Sequence, residues 1–260
     1  MSTTALRKSA WLPLADRPTA APARLFVLPF AGGGAAQFQA LRRAAPDWLD
    51  VQPVQLPGRE NRMFEPPVSN LSQMVDALRQ EIEPYLDRPY ALLGYSMGGR
   101  LSLGLAHALA AAGQPLPRQL IVAAHAAPML PSRVPHVDSL DSPAFWRMIA
   151  GYEGTPEEVL DNDELKTLVE PTLRADFSIS RQTVTRARTP LDLPILAIAG
   201  RHDPYAGPGD MQPWREETEG AFRLEIIDGG HFFLRTHLDS FTAHIFETLK
   251  PLSPGHADTA

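Results

Sequence analysis

Six residues in the first half of the chain, GYSMGG starting at Gly94, constrain the fold more than any other segment. The apolar run YALLGY ahead of Ser96 predicts a buried strand at 90–95, and the small-residue segment GGRLSLGLAHALAAA predicts a helix over about 96–112. A direct turn from strand to helix leaves room only for very small side chains two residues before and after the serine. Gly94 and Gly98 meet this demand. The pattern predicts a serine at a helix N-terminus, where unpaired N–H groups favour negative charge.

Further apolar runs predict strands and helices that alternate along the chain. The predicted strands are 24–30, 51–56, 119–124, 194–200 and 222–228, and an amphipathic helix is predicted at 71–86. Pro53 weakens the second strand because proline donates no ladder hydrogen bond. Short strands that are apolar on both faces and alternate with helices indicate a parallel sheet covered on both sides. We therefore expect an α/β fold with a mostly parallel central sheet flanked by helices.

Changes in composition divide the chain into four regions. These are a loosely ordered lead-in, a core in two parts, a helical insertion and a flexible tail: residues 1–23, 24–128 with 190–250, 129–189 and 251–260. Trp11 and Leu12 in the lead-in could dock on the core. The insertion is helical, polar and acid-rich with no strand candidate, so it predicts a lid. A chain of 260 residues fits one α/β body with such an insertion.

The composition argues against several classes of function. The chain has 24 basic and 30 acidic residues without long blocks of either, so it offers no stripe for a nucleic-acid backbone. It contains no cysteine, which excludes disulfides, zinc–thiolate sites and cysteine nucleophiles. No apolar run reaches the roughly 18 residues of a membrane span, and residues 1–23 lack the apolar core of a secretory signal. We expect a soluble, cytoplasmic protein.

A serine hydroxyl is a good nucleophile only when a neighbouring base takes its proton. The G-x-S-x-G turn is typical of α/β-hydrolases, in which an acid and then a histidine follow the serine, each at the carboxyl end of a strand. Asp203 follows the strand at 194–200, and His231 follows the last strand. The order predicts Ser96 as nucleophile, His231 as base and Asp203 as the acid that orients it. Such a triad requires no metal or redox cofactor, and we predict none.

Asp228 is an alternative acid, because it also precedes His231. It lies only three residues from that histidine, whereas Asp203 occupies a separate strand-end loop, and we therefore prefer Asp203. Other histidines near these segments are interpreted as core or surface imidazoles: His107, His125 and His202. Since His125 follows the strand at 119–124, it is also a candidate for the pocket wall.

A tetrahedral intermediate needs two N–H donors for its oxyanion. One is predicted to be the backbone of Met97, directly after the nucleophile, and the other to come from the loop after the first strand. That loop is PFAGGGA at 29–35, and its donor is predicted to be Phe30 or Ala31. The loop matches neither the G-x-G-x-x-G nor the Walker pattern, so a nucleotide site is not indicated.

Six blocks occur in order along the chain: LPFAGGGA, LPGRENRMFEPP at 56–67, GYSMGG, GTPEEVL with LRADF, AGRHDPYA and GGHFFL. With them the chain resembles the type II thioesterases of polyketide and nonribosomal peptide assembly lines, from about Trp11 to Leu249. The resemblance implies an α/β-hydrolase fold with a helical lid. It also implies hydrolysis of acyl thioesters held on the phosphopantetheine arm of a carrier protein, with editing of stalled acyl groups as the usual role.

Two details depart from the family pattern. Tyr95 stands where many relatives have histidine, and HAAP at 125–128 stands where many have an arginine ahead of Ala-Pro. Neither change touches the triad, but both bear on pocket polarity. We predict substrate or lid roles for four aromatic residues: Tyr95, Phe145, Trp146 and Phe177. Ordinary packing between the lid helices is the alternative for the lid aromatics.

The resemblance implies a transient complex with an acyl or peptidyl carrier protein, and we expect the enzyme to be a monomer. Four arginines are predicted to face the acidic surface of such a carrier: Arg59, Arg62, Arg100 and Arg201. Two other functions remain open. The same triad would serve a releasing or cyclising acyltransferase or a small-molecule esterase, and a vestigial triad would leave a non-catalytic carrier-protein binder.

Overall fold

The structure is a computed structural model, and it describes residues 9–15, 19–182 and 189–254. Parts of three predicted regions lie outside the described residues: 1–8 and 16–18 of the lead-in, 183–188 of the lid and 255–260 of the tail.

A six-stranded parallel sheet lies at the centre of the described residues. Its strands are Ala23–Leu28 (β1), Leu49–Pro53 (β2), Tyr90–Tyr95 (β3), Gln119–Ala123 (β4), Ile195–Gly200 (β5) and Phe222–Ile227 (β6). Their spatial order is β2-β1-β3-β4-β5-β6, and each neighbouring pair is parallel. The α/β fold expected from the sequence is therefore confirmed. Pro53 is tolerated because it ends β2, which is an edge strand.

Helices connect the strands and cover both faces of the sheet. The α-helices are Gln39–Ala44 (α1), Leu71–Ile82 (α2), Met97–Ala111 (α3), Ser142–Ala150 (α4), Glu157–Leu160 (α5), Asp163–Arg181 (α6), Pro208–Met211 (α7), Phe233–Thr236 (α8) and Leu238–Leu249 (α9). Short 3-10 helices occupy Ala35–Phe38, Glu60–Arg62, Glu83–Tyr85, Gln212–Glu217 and Lys250–Leu252. The helix predicted at 71–86 thus ends as a 3-10 turn.

Side chains of β3 alternate between the two helical layers, as the pleat of a strand requires. Leu92 packs in the layer with α2 and α3, whereas Leu93 and Tyr95 pack in the layer with α1 and α9. All three side chains are fully buried. The strand is therefore covered on both faces, which explains why its sequence is a continuous apolar run rather than an alternating one.

Helices α4, α5 and α6 form the lid between β4 and β5. Asp141 accepts a hydrogen bond from Ala144 N at 2.8 Å and caps α4, and Asn162 accepts from Leu165 N at 3.1 Å and caps α6. The lid has its own apolar cluster: Val137, Phe145, Trp146, Ile149, Leu173 and Phe177. This cluster lets the lid form a separate layer above the carboxyl edge of the sheet.

The described part of the lead-in packs on the core. Trp11 and Leu12 are buried in the layer with α2 and α3, and Gln55 N donates a 2.8 Å hydrogen bond to Trp11 O. The Arg62 guanidinium lies 4.4 Å from the centre of the Trp11 ring. Residues 9–15 are therefore held on the core, unlike the loosely ordered segment that their composition predicts. The buried side chains of Trp11 and Leu12 make this contact although most of their neighbours in the lead-in are small or polar. No helix in the described ranges has the length and apolar character needed to span a bilayer.

Candidate active site

Ser96 lies in the turn between β3 and α3, at the carboxyl edge of the sheet. The chain leaves β1 toward β2 on one side and β3 toward β4 on the other, so this is the switch point where open α/β sheets bind ligands. Ser96 has φ 50° and ψ −118°, a strained conformation for a residue with a side chain. A Cβ atom at Gly94 would lie 2.1 Å from Gly98 O, and one at Gly98 would lie 2.1 Å from Leu28 O. The two glycines are thus required by space.

The three predicted triad residues come together in one hydrogen-bonded chain. His231 Nε2 lies 3.0 Å from Ser96 Oγ, and His231 Nδ1 lies 2.8 Å from Asp203 Oδ2. Because a carboxylate only accepts, Nδ1 carries the ring proton and Nε2 is free to accept from the serine. The Asp203 side chain is fully buried, so this orientation is held away from water.

The Asp203 carboxylate is itself fixed by its own loop. Its Oδ1 atom accepts hydrogen bonds from Tyr205 N at 2.8 Å and Ala206 N at 3.1 Å, which leaves Oδ2 for the histidine. The alternative acid, Asp228, is exposed and contacts His202 Nε2 at 3.1 Å instead. The geometry therefore brings Asp203, and not Asp228, to His231.

The loop after β1 lies against the serine turn. Phe30 and Ala31 line the same cavity as Ser96 and Met97. The Gly32 amide donates to Asp176 Oδ2 at 2.7 Å, and the Gly33 amide donates to Phe30 O at 2.9 Å, so neither is available to an oxyanion. Met97 N belongs to the first turn of α3, where amides lack helical partners. These placements agree with the predicted oxyanion donors, Met97 and one residue of the loop after β1. They do not distinguish between the amides of Phe30 and Ala31 as the second donor.

A buried ion pair that the sequence did not reveal ties this loop to the lid. Arg59 Nη1 lies 2.7 Å from Asp176 Oδ2, and Arg59 Nη2 donates to Asp176 Oδ1 at 2.9 Å. Arg59 also donates to Gly33 O at 3.2 Å, and Asp176 accepts from Gly32 N. Both charged side chains are buried. Helix α6 therefore holds the Gly32–Gly33 loop through one bidentate pair.

Replacing Asp176 by asparagine should lower the free energy of unfolding by about 3–5 kcal/mol, because a buried guanidinium loses its counter-ion. Urea denaturation measures the effect. Asp163→Asn is the matched control on the same helix, since that carboxylate is 97% exposed and forms a surface pair with Lys166. Equal unfolding midpoints for the two variants would show that the Arg59–Asp176 pair does not stabilise the lid.

Tyr95 does not take the substrate-contacting position that we predicted for it. Because it precedes Ser96 in the strand, its side chain points into the opposite layer, where it contacts the rings of Phe233 and Phe241. Its hydroxyl donates a 2.6 Å hydrogen bond to His231 O. Burial raises the pKa of Tyr95 well above its usual value, so the hydroxyl keeps its proton. Tyr95 therefore holds the loop that carries His231 through this hydrogen bond and does not line the cavity.

A cavity of about 400 Å³ separates the serine from the lid. Of the lid aromatics predicted to contact substrate, Phe177 lines this cavity, whereas Phe145 and Trp146 do not. Phe145 is fully buried inside the lid, and Trp146 Nε1 donates to Glu170 Oε2 at 2.7 Å on its far side. Phe145 and Trp146 therefore pack within the lid and do not contact the substrate cavity, which was the alternative to a substrate role.

Two tyrosines connect the lid to the triad, and the sequence reasoning missed both. The Tyr205 ring stacks on Tyr152 with centroids 4.7 Å apart, and it meets the His231 ring edge-on at 5.3 Å. Tyr205 lies two residues after Asp203, in the AGRHDPYA block, which was the one available signal. Both tyrosines line the cavity.

Three of the four arginines predicted to face a carrier protein are buried. Arg59 pairs with Asp176, Arg62 pairs with Glu65 and contacts Trp11, and Arg100 lines the cavity. Only Arg201 of the four is exposed, and it lies 3.2 Å from Asp228. The prediction of a basic docking surface from these residues is therefore wrong, because tertiary contacts bury three of the four charges.

His125 and Arg100 influence each other at one end of the cavity. Burial is the main cause that moves the pKa of His125 well below its usual value, and the neighbouring Arg100 guanidinium and His231 ring lower it further. His125 is consequently neutral at pH 7. Burial also lowers the pKa of Arg100 to about 10, which leaves it charged at that pH. Within the described ranges, no group of three His, Asp or Glu side chains could hold a metal ion.

A parallel sheet, a strained serine turn at its switch point and a serine–histidine–aspartate chain define a serine hydrolase of the α/β-hydrolase class. The chain belongs to the thioesterase domain family, whose model matches residues 23–249. It is therefore an enzyme that acts on thioesters.

Similar proteins support this assignment over most of the chain. The gramicidin S biosynthesis protein GrsT of Aneurinibacillus migulanus is 36% identical over 86% of this chain and 88% of its own length. The RedJ thioesterase of the prodiginine pathway of Streptomyces coelicolor is 32% identical with a TM-score of 0.81, covering 92% of this chain and 98% of RedJ. The type II thioesterase BorB of the borrelidin biosynthetic cluster is 32% identical with a TM-score of 0.80, covering 90% of this chain and 95% of BorB.

Proposed function

We propose that this protein is a type II, editing thioesterase that removes acyl groups from the phosphopantetheine arm of carrier proteins in polyketide or nonribosomal peptide biosynthesis. The observation that carries the proposal is the Ser96–His231–Asp203 chain at the floor of a lid-covered cavity. Similar proteins named for gramicidin S, prodiginine and borrelidin biosynthesis support the pathway class. The acyl chain enters the cavity, and the slender arm reaches Ser96 from the lid side.

In the first half-reaction, Ser96 Oγ attacks the thioester carbonyl carbon while His231 Nε2 takes the hydroxyl proton. The negative charge on the carbonyl oxygen is stabilised by Met97 N–H and by the amide of Phe30 or Ala31. The carbon–sulfur bond then breaks, and His231 returns its proton to the leaving thiolate. The products are the free thiol arm and an ester of Ser96. Asp203 keeps Nδ1 protonated and stabilises the imidazolium during both transfers.

In the second half-reaction, His231 accepts a proton from water as the water oxygen attacks the ester carbon. Collapse of the tetrahedral intermediate breaks the bond to Ser96 Oγ, which regains its proton from His231. The acyl group leaves as a free carboxylic acid. The cycle uses only the triad, the amides and water, so the proposal includes no metal or redox cofactor.

Incubation with acetyl- or propionyl-loaded carrier protein tests the function. We expect release of the free acid, detected by mass spectrometry, together with the unloaded carrier. Amide or ester conjugates formed with added amines or alcohols would instead indicate a releasing or cyclising acyltransferase. Cleavage of small esters without cleavage of the loaded carrier would indicate an esterase. No turnover of any of them would leave a non-catalytic binder and overturn the proposal.

A further inference from the structure

One end of the active-site cavity is polar, although most of the lid wall is apolar. Arg100 lies four residues after Ser96 in α3, about one helical turn or 6 Å along the axis. Arg100 lines the same cavity as Ser96. The Arg100 side chain is therefore within reach of an acyl group attached to the serine.

Arg100 is a buried cation whose charge no carboxylate neutralises in the described part of the chain. It is 4% exposed, and none of the ion pairs there includes it. Its Nη1 donates to Gln182 O at the C-terminal end of α6, where the helix dipole gives only partial compensation. Its Nε is buried without a hydrogen-bond partner there. A buried charge without a partner is costly, which favours an anionic ligand.

His125 adds a second unsatisfied group at this end of the cavity. Its Nε2 atom is buried and makes no hydrogen bond to any described residue. The preceding residue, Ala124, has φ 52°, a strained conformation that holds the chain as it leaves β4. Trp214 Nε1 donates to His125 O at 2.7 Å and fixes the residue further. The strained backbone at Ala124 thus helps to hold the His125 imidazole at the cavity wall.

We propose that Arg100 and His125 form a carboxylate subsite, so that this thioesterase prefers short dicarboxylic acyl groups, with the thioester at one end and a free carboxylate at the other. The inference rests on the proposed function. The guanidinium forms the ion pair, and neutral His125 donates a hydrogen bond. We take the chain length as about four carbons, comparable with the roughly 6 Å rise of one helical turn. Uncharged acyl chains of that length leave both groups unsatisfied.

The test compares succinyl- and butyryl-pantetheine, which have equal chain lengths and differ in the carboxylate. The enzyme-free rate is subtracted from each. We expect kcat/KM of the wild-type enzyme to be about tenfold or more higher for the succinyl thioester, as a charge-assisted hydrogen bond between desolvated groups implies. Arg100→Met should lower the succinyl-to-butyryl ratio by a similar factor, and Arg100→Lys by less.

Arg43→Met is the matched control, because Arg43 is exposed on α1 and does not line the cavity; its ratio should equal that of the wild type. A wild-type ratio of one or below overturns the subsite, whether or not Arg100→Met folds. A ratio unchanged in folded Arg100→Met also overturns it. Hydrolysis of butyryl-pantetheine without a succinyl preference refutes the subsite alone, whereas hydrolysis of neither thioester refutes the proposed function as well.

Discussion

Replacing Ser96 by alanine is expected to lower kcat/KM for thioester hydrolysis by about 10⁴- to 10⁶-fold, as loss of a triad nucleophile does in serine hydrolases. The proposed acyl-enzyme cannot form without the hydroxyl. The oxyanion-hole amides can then assist only the direct attack of water on the thioester. The fold should persist, because Ser96 Oγ contacts His231 Nε2 and alanine keeps the Cβ atom that the turn already accommodates. Steady-state rates with a pantetheine thioester measure the loss, and circular dichroism confirms the fold.

Ser102→Ala is the matched control for this experiment. Ser102 is buried in the same helix, and its hydroxyl donates to Gly99 O at 2.9 Å without lining the cavity. We expect this variant to retain activity. A sulfonyl fluoride should add one covalent group to the wild-type protein and to Ser102→Ala, located at residue 96 by peptide mass spectrometry. Hydrolysis retained by Ser96→Ala would refute the nucleophile assignment.

The parts of the site that could be predicted from sequence depend on local patterns. The turn at Ser96 needs small neighbours at fixed spacing, and the order of parallel strands places Asp203 and His231 at the same sheet edge. The glycine spacing lies within two residues of Ser96, and the strand ends that predict Asp203 and His231 lie within a few residues of those side chains. The inner strands β1, β3, β4 and β5 are predictable for the same reason, since a strand covered on both faces is a continuous apolar run.

The parts that could not be predicted depend on contacts between distant segments. Arginine is mostly exposed in proteins, so the sequence predicts surface positions for Arg59 and Arg100. Their burial depends on partners such as Asp176, which is 117 residues from Arg59 in the chain. A single sequence does not show such a pairing.

Side-chain direction was the other source of error. The resemblance draws attention to Tyr95 because many relatives have histidine there, yet adjacent residues in a strand point to opposite faces, and Tyr95 points away from the cavity. Phe145 and Phe177 both read as apolar lid residues, but only the orientation of their helices places Phe177 at the cavity. Proximity in sequence therefore identified the segments around the cavity more reliably than it identified the side chains that line it.

Asp203→Asn is expected to lower kcat by about 10⁴-fold, the cost of fixing the wrong histidine tautomer. Tyr205 N and Ala206 N donate to Oδ1, so they will hold the amide oxygen of asparagine there and turn its NH₂ group toward His231. An NH₂ donor facing Nδ1 favours the tautomer protonated on Nε2, which cannot accept the Ser96 proton. Asp228→Asn is the control, because Asp228 contacts His202 at the surface. A large loss in Asp228→Asn with little in Asp203→Asn would instead identify Asp228 as the catalytic acid.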